Sequence, residues 1–161
     1  SSLVRKKLGL SSGCKRLNQI FNYLKIDDNF TTSGQPSEGD FELISQAGFQ
    51  TVINLAPYNV ENSLKDEAGL LQSLSIEYVH IPVDFFNPKE IDFRNFCDAL
   101  NKLRGQKVWI HCAANMRVSA FLFRYRTEQL GVDPSRAKLD LNQIWEPFDY
   151  WRPFMSGDLI D

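Results

Sequence analysis

The sequence has few of the residues from which zinc sites and disulfide frameworks are built. Its 161 residues include three cysteines, Cys14, Cys97 and Cys112, and two histidines, His80 and His111. No two cysteines are close in sequence, so the usual spacing of a zinc site is missing, and an odd number does not suit a full disulfide framework. We therefore expect a reduced protein with one special, accessible thiol and with neither a metal nor another cofactor.

Long apolar runs and a strong charge of either sign are also missing. No apolar stretch approaches the length of a membrane span, and the formal net charge is −2. We expect no nucleic-acid or membrane partner, and Arg5-Lys6-Lys7 is interpreted as a solvated terminal segment. The cytoplasm is the favoured compartment, and the periplasm stays open because the sequence begins at Ser1 and a removed signal peptide would leave no trace. The oligomeric state is left open.

An alternation of strand and helix patterns predicts an α/β fold. No repeat or linker interrupts it, so residues 1–161 are expected to form a single domain, with an N-terminal helical extension over about residues 1–27. Predicted strands cover 30–33, 51–55, 76–83 and 107–111. Predicted helices cover 15–25, begin at Ser37, Ser63 and Asn87, and cover about 118–130 and 135–144. Ser37 is expected to cap its helix, with Asp40 near the position of the capping-box acid.

One stretch combines a buried strand, a short loop and the start of a helix: Val108-Trp109-Ile110-His111-Cys112-Ala113-Ala114-Asn115-Met116-Arg117-Val118-Ser119. Such a loop aims backbone N–H groups at one point, and the helix adds its positive end, so the segment predicts an anion site. The same dipoles would stabilise a thiolate at Cys112, and Arg117 offers a planar fork of donors for phosphate oxygens. We predict Cys112 as nucleophile and Arg117 as clamp. The predicted substrate-binding residues are His111, Ala113, Ala114, Asn115, Met116, Val118 and Ser119.

Each of these residues has a simpler interpretation when it is taken alone. A lone cysteine at a strand end is usually a small buried hydrophobic residue, and a lone arginine at a helix start is usually solvated. His111 could tune and orient the loop or be a hydrogen-bonded core histidine, and these two interpretations are compatible. The order of strand, His-Cys, short loop, Arg and helix is much rarer than its parts, and it favours a functional site.

His111-Cys112 followed by an arginine at the head of a helix resembles the loop of cysteine-dependent protein tyrosine and dual-specificity phosphatases. Three further stretches resemble one bacterial branch of them, the beta-lactamase-hydrolase-like phosphatases. The resemblance covers roughly residues 28–130 and implies a central, mainly parallel sheet flanked by helices, of the dual-specificity-phosphatase type, with the phosphate-binding loop between a strand and a helix. The stretches are Thr32-Ser33-Gly34-Gln35-Pro36, Ala47-Gly48-Phe49-Gln50-Thr51-Val52-Ile53-Asn54-Leu55 and Tyr78-Val79-His80-Ile81-Pro82-Val83.

The loop departs from the general pattern of the resembled family at three points. Four residues, not five, separate Cys112 from Arg117, which is similar to the bacterial branch. Asn115 replaces the usual glycine, and asparagine tolerates a left-handed backbone better than most residues. Val118 replaces the hydroxyl residue that usually follows the arginine, and Ser119 lies one place later. The rate at which a phosphoenzyme would break down is therefore left open.

The resemblance also implies a general acid, an aspartate on a separate loop. Asp84 follows Ile81-Pro82-Val83 on a predicted loop, and it is the favoured candidate. Asp92 is second, because it falls in the first turns of a predicted helix, where an acid is expected for dipole reasons alone.

The remaining candidates are more simply structural. Cys97 lies on the apolar stripe of a helix, Cys14 lies in a Ser/Gly segment, and His80 is a strand residue. Ser33, Gln35 and Asn54 lie at strand ends, where ligands bind in such sheets, although backbone hydrogen bonding is preferred for the last two. The C-terminal aromatic residues are expected to pack on the core or to line a substrate pocket: Trp145, Phe148, Tyr150, Trp151 and Phe154.

We therefore expect a bacterial phosphatase that hydrolyses phosphotyrosine-like or small-molecule phosphomonoesters through a phosphocysteine, with a phosphorylated protein or small molecule as its partner. One alternative is a rhodanese-like sulfurtransferase, which would leave Asp84 idle. Another is a catalytically weak phosphate-binding module, which Asn115 and Val118 make plausible. The sequence leaves the physiological substrate open.

Overall fold

The computed structural model describes residues 15–58 and 60–158, and within these ranges five strands form one sheet. The strand order is β1-β2-β5-β3-β4, with β2, β5, β3 and β4 parallel and β1 antiparallel to β2. The mainly parallel sheet that the family resemblance implied is confirmed. The strands are β1 Leu24–Lys25, β2 Phe30–Ser33, β3 Thr51–Asn54, β4 Glu77–His80 and β5 Val108–His111.

Helices cover both faces of the sheet, which explains the nearly continuous apolar strands β3 and β5. Ile53 and Ile110 face one hydrophobic cluster, to which α3, α4 and α6 contribute, whereas Val52 and Trp109 face a second one with α1 and α2. The helices are α1 Glu38–Gln46, α2 Glu67–Ser73, α3 Glu90–Lys102, α4 Met116–Gln129, α5 Pro134–Asn142 and α6 Trp151–Met155. Each described helix falls short of the length and apolarity that a membrane crossing requires.

The start of α1 shows local sequence chemistry at work. The Ser37 hydroxyl accepts from the Asp40 N–H at 3.0 Å, and the Asp40 carboxylate accepts from the Ser37 N–H at 2.9 Å. This reciprocal capping box is the one predicted from the spacing. Downstream, Gly48 takes a positive φ of 92° just after the helix, as a helix-ending glycine should.

The helix predicted over residues 15–25 is wrong. The chain forms a single 3-10 turn at Leu17–Gln19 and then strand β1, which pairs with β2 through Leu24 and Thr32. Asn22 has a φ of 50°, which a right-handed helix cannot accommodate, and pairing with the sheet edge satisfies the backbone instead. The described part of the predicted helical extension is therefore not a helix. Cys14 and Arg5-Lys6-Lys7 lie outside the described residues.

Two other predicted helix starts are too early. The N–H and the hydroxyl of Ser63 both donate to the Val60 carbonyl in a turn. Helix α2 begins only after Asp66, which caps it by accepting from the Gly69 N–H. Similarly, α3 begins at Glu90 and not after Asn87, because the N–H of Asn87 closes a turn on a preceding carbonyl. In both places the chain forms a tight turn where the sequence predicted the start of a helix.

Candidate active site

The predicted loop lies at the end of a central strand. Strand β5 ends at His111, helix α4 begins at Met116, and β2 and β3 flank β5 on either side. In parallel sheets, ligands bind beyond the carboxyl ends of the strands, so the position suits a binding site. The Cys112 residue has an exposed fraction of 0%, so the expectation of an accessible thiol is wrong for this conformation.

Asn115 takes the left-handed backbone conformation for which asparagine is suited. Its φ of 68° and ψ of 1° turn the chain into α4. Its buried side-chain amide donates to the Asn22 carbonyl at 2.8 Å and to Thr32 Oγ1 at 2.9 Å. The side chain therefore fastens the loop to the β1–β2 region, and because both N–H bonds of its amide are used, a donor from Asn115 to a substrate would be its backbone N–H.

The carbonyl groups of the loop are held from outside. The Ala113 carbonyl accepts from the Gln35 backbone N–H and from Asn62 Nδ2, both at 3.1 Å. The Ala114 carbonyl accepts from Asn22 Nδ2 at 3.0 Å. Because C=O and N–H point in opposite directions in a trans peptide, these contacts turn the N–H groups of the same peptide units toward the other side of the loop.

The N–H groups of residues 113–117 have no hydrogen-bond partner among the residues that the structure describes. Arg117 adds a buried Nε that is likewise unpartnered. Buried donors normally find acceptors, so the Arg117 Nε calls for an acceptor, and an oxyanion next to Cys112 would satisfy it together with the free N–H groups of the loop.

Gly34 shows how closely the neighbouring segment approaches the loop. A Cβ at this position would lie 2.8 Å from the Ala113 carbonyl oxygen and 2.5 Å from the Phe21 ring. Both distances are shorter than real Cβ contacts, so the approach requires glycine.

Arg117 is not a solvated surface residue. It has an exposed fraction of 8%, and its Nη1 donates to the Val83 carbonyl at 3.2 Å. The guanidinium carbon lies 5.8 Å from the centre of the Phe85 ring. The contacts join the start of α4 to the loop that contains Asp84.

Asp84 lies on that loop, between β4 and α3, as predicted. Its neighbours Val83 and Phe85 both contact Arg117, and its exposed carboxylate accepts from the Phe86 N–H at 2.9 Å. The indole N–H of Trp151 donates to the Phe85 carbonyl at 2.9 Å and so fixes the loop to α6. Asp92 lies in the first turn of α3, as the sequence indicated.

A buried polar network lies behind the loop. His111 Nε2 lies 2.6 Å from Glu67 Oε2, and His111 Nδ1 lies 3.2 Å from the Cys112 carbonyl oxygen. The second oxygen of Glu67 accepts from Gln35 Nε2 at 2.9 Å. His111 and Glu67 have exposed side-chain fractions of 0% and 7%. His111 is thus both a hydrogen-bonded core histidine and a contact of the Cys112 peptide.

The two residues after Arg117 face inward. Val118 belongs to the larger hydrophobic cluster. The Ser119 hydroxyl donates to the Met116 carbonyl at 3.1 Å and accepts from the Trp145 indole N–H at 3.1 Å. Substrate contacts through Val118, Ser119 and Met116 stay predictions.

Several other residues take structural positions. His80 Nε2 lies 2.7 Å from the Ala56 carbonyl oxygen, and the Ser33 hydroxyl accepts from the Trp109 indole N–H at 2.9 Å. Cys97 is buried on α3, and burial raises the pKa of its thiol to about 12. Trp151 and Phe154 of the aromatic tail are core residues. Within the described ranges, no three His, Cys, Asp or Glu side chains converge as metal ligands do.

Sequence reasoning missed Glu67, Asn22 and Asn62. Glu67 stands in the first turn of a helix, where an acid is expected for dipole reasons. Asn22 and Asn62 stand in segments that look like ordinary turns. No pattern in the sequence distinguishes them, because their roles depend on which segments the fold brings to the loop.

Comparisons of the sequence with known proteins find one matching family and a curated relative. The model of a family described as DSP-PTPase phosphatase fused to NAD+ kinase matches residues 19–144. A beta-lactamase hydrolase-like protein of Agrobacterium fabrum is 29% identical over 97 residues, which are 58% of this chain and 22% of that protein. The chain therefore spans about a fifth of the length of this curated relative.

Several solved structures have a similar fold. A candidate phosphatase of the DUF442 group from Shewanella putrefaciens CN-32 superposes with a TM-score of 0.79 at 31% identity, over 88% of this chain and 93% of that one. The PP-IP phosphatase SIW14 of S. cerevisiae gives 0.71 at 13% identity, over 85% of each chain. TpbA of P. aeruginosa, in complex with pTyr, gives 0.63 at 16% identity, over 81% and 76%. At these low identities, the similarity to SIW14 and to TpbA is a similarity of fold.

Proposed function

We propose that this chain, which belongs to the family of DSP-PTPase phosphatases fused to NAD+ kinase, hydrolyses phosphomonoesters through a covalent phosphocysteine at Cys112. Membership of the family supports a phosphatase of the protein tyrosine and dual-specificity type. The covalent intermediate, the roles of individual residues and the substrate class are our proposal.

One observation carries the proposal. In the segment that follows Cys112, the N–H groups of residues 113–117 and the Nε of Arg117 have no hydrogen-bond partner among the described residues. They are donors without an acceptor, next to a nucleophile, at the end of a buried strand. Such a set is complementary to the three equatorial oxygens of a transferring phosphoryl group, whose negative charge it would stabilise.

The reaction would proceed in two displacements. In the first, the Cys112 thiolate attacks phosphorus, the P–O bond to the leaving group breaks, and the Asp84 carboxylic acid gives its proton to the leaving oxygen. In the second, water attacks the phosphocysteine, the Asp84 carboxylate takes a proton from it, and the P–S bond breaks to return the thiolate and release phosphate. Arg117 binds two phosphoryl oxygens in both steps.

The composition of the loop favours substrates with a single phosphate. Between Cys112 and Arg117 the residues are Ala113, Ala114, Asn115 and Met116, and none of them is a cation. A polyphosphorylated ligand would leave its additional charge without a partner on this loop. The pTyr complex of TpbA supports the same choice, and we propose phosphotyrosine-like or small aryl and alkyl phosphomonoesters as substrates.

A substrate panel with wild type and Cys112→Ser tests the proposal. We expect turnover by wild type, full activity after EDTA treatment, and loss of turnover in Cys112→Ser with oxyanion binding retained, because the donors belong to the backbone and Arg117. Cys97→Ser, at a buried cysteine outside the loop, is the matched control and should stay active. Activity above a few per cent in Cys112→Ser would contradict the nucleophile assignment. Phosphate binding without any turnover by wild type would identify a phosphate-binding module instead.

A further inference from the structure

The buried contact between Glu67 and His111 lies directly behind the proposed nucleophile. We propose that Glu67 is a positioning residue for the reaction: its carboxylate holds His111 as an imidazolium that fixes the Cys112 peptide and favours the Cys112 thiolate. The inference rests on Cys112 as the nucleophile.

The hydrogen-bond partners of His111 define where its protons are. Nδ1 faces the Cys112 carbonyl oxygen at 3.2 Å, and a carbonyl oxygen can only accept. Nε2 faces Glu67 Oε2 at 2.6 Å, and the other oxygen of the same carboxylate already accepts from Gln35. We take Glu67 as ionised, and an ionised carboxylate oxygen can only accept, so Nε2 carries a proton as well. With a proton on each nitrogen, the ring carries a positive charge.

Burial gives this pair its influence. Both side chains are nearly free of solvent contact, so a positive ring without the carboxylate would be strongly unfavourable, and the charge of Glu67 stabilises it. The ring is covalently next to Cys112 along the chain and hydrogen-bonded to its carbonyl. A positive charge at this place favours a negative sulfur, and the fixed carbonyl turns the Ala113 N–H toward the other side of the peptide.

The surroundings contain few competing charges. Strand β4 presents Tyr78 to Glu67, and burial raises the pKa of Tyr78 to about 12, so this phenol stays neutral over the range of an activity assay. Helix α1 presents the apolar Phe41 ring to His111 at 5.8 Å between ring centres. On the same segment as His111 lie Cys112 and Arg117, and on the helix of Glu67 lies Asp66, whose carboxylate caps that helix.

The pH dependence of Cys112 alkylation by iodoacetamide, mapped by mass spectrometry, measures the thiolate without any substrate. Glu67→Gln removes the charge with little change in shape, and the free Oε1 of Gln35 can accept from the new amide. We expect the midpoint of the alkylation profile to rise by about one pH unit, the size of the effect of a nearby charge. The acid limb of kcat/KM should move with it.

Two variants separate this role from a structural one. Asp66→Asn removes a neighbouring negative charge but keeps a good helix cap, and its midpoint should equal that of wild type. Glu67→Asp keeps the charge, so the midpoint of its alkylation profile should return to the wild-type value. Its rate of hydrolysis should fall, because the shorter side chain moves the carboxylate away from His111. A wild-type midpoint in folded Glu67→Gln, or an equal shift in Asp66→Asn, would overturn the inference.

A measurement on wild type protects the test against misfolding of the variants. Because the chain has two histidines, ¹⁵N spectra of the imidazoles are assigned with a single His80→Gln variant. We expect both nitrogens of His111 to carry protons at neutral pH, and a singly protonated ring would overturn the inference. If wild type hydrolyses no phosphomonoester but the spectra and the alkylation profile behave as expected, the proposed function fails, and what stands is the effect of Glu67 on His111 and on the Cys112 thiolate.

Discussion

Arg117 and Val83 are joined by a hydrogen bond of 3.2 Å from the guanidinium Nη1 to the backbone carbonyl oxygen. Val83 directly precedes Asp84, so the clamp and the candidate acid are fixed to each other through one residue. The Phe85 ring on the other side of Asp84 also lies near the guanidinium. The arginine therefore has two proposed tasks: it would bind the phosphoryl group, and it would hold the loop on which Asp84 lies.

We predict that Arg117→Lys lowers kcat/KM by about 10²–10³-fold, the usual effect of losing an oxyanion donor. Lysine keeps the charge, but it lacks the planar fork that binds two oxygens, and it does not reproduce both the bond to Val83 and the contact with phosphate. Steady-state kinetics should show the loss in both kcat and KM. Arg152→Lys, at an exposed arginine of α6, is the control. Wild-type kinetics in Arg117→Lys would remove Arg117 from the mechanism.

Asn62→Ala tests whether the outer contacts of the loop matter. The substitution removes the side-chain bond to the Ala113 carbonyl but leaves the bond from the Gln35 backbone in place. We expect kcat/KM to fall by roughly tenfold, which corresponds to one hydrogen bond, with little change in the melting temperature because Asn62 is exposed. Asn95→Ala, at an exposed position of α3, should leave the kinetics unchanged. Equal kinetics in Asn62→Ala and wild type would mean that the loop holds its shape without this contact.

The two described cysteines should differ in their reaction with oxidants. Burial raises the pKa of Cys97 to about 12, so Cys97 stays a neutral thiol at pH 8 and reacts slowly. Hydrogen peroxide should therefore inactivate the enzyme through Cys112, and a phosphate analogue bound in the loop should slow the inactivation. Because Cys112 is buried, we expect a slow loss of activity. The sites of oxidation are identified by mass spectrometry of tryptic peptides.

Cys97→Ala gives the control for this experiment. Peroxide should inactivate this variant at the wild-type rate, because Cys112, whose oxidation is expected to cause the inactivation, is still present. Protection against peroxide by Cys97→Ala would show that inactivation proceeds through the core and not through the loop.

The sequence predicted what is local and missed what depends on assembly. The capping box of Ser37 and Asp40 and the run of apolar residues in β5 are short-range patterns, and the structure confirms them. The segment 15–25 was mistaken for a helix because its apolar spacing fits one, whereas an open sheet edge next to it offered the backbone better partners. Glu67 escaped notice because burial against His111 is set by the packing of α2 on the sheet.

The last prediction concerns Asp84, whose value as an acid depends on how much the leaving group needs a proton. Asp84→Asn should slow hydrolysis of an alkyl or phenyl phosphate by roughly 10²–10⁴-fold, the usual size of general acid catalysis. The same substitution should matter far less for a nitrophenyl phosphate, because its leaving group is already a stable anion. The basic limb of the pH profile should flatten in the variant, since the group whose proton is required is gone. Kinetics on a series of aryl phosphates of graded leaving-group acidity measure this dependence.

Asp92→Asn is the control for Asp84→Asn, because Asp92 is also an acid that follows β4 but lies in the first turn of α3. The ratio of its rate to that of wild type should be nearly the same for every leaving group. If Asp92→Asn and not Asp84→Asn shows the graded loss, the acid comes from the helix and the loop only shapes the site. If neither variant shows it, Cys112 can still attack phosphorus, but the leaving oxygen must take its proton from water or from the substrate itself. In that case the loop of Asp84 contributes to the site through Val83 and Phe85, which contact Arg117, and Arg117→Lys should remain the more damaging substitution.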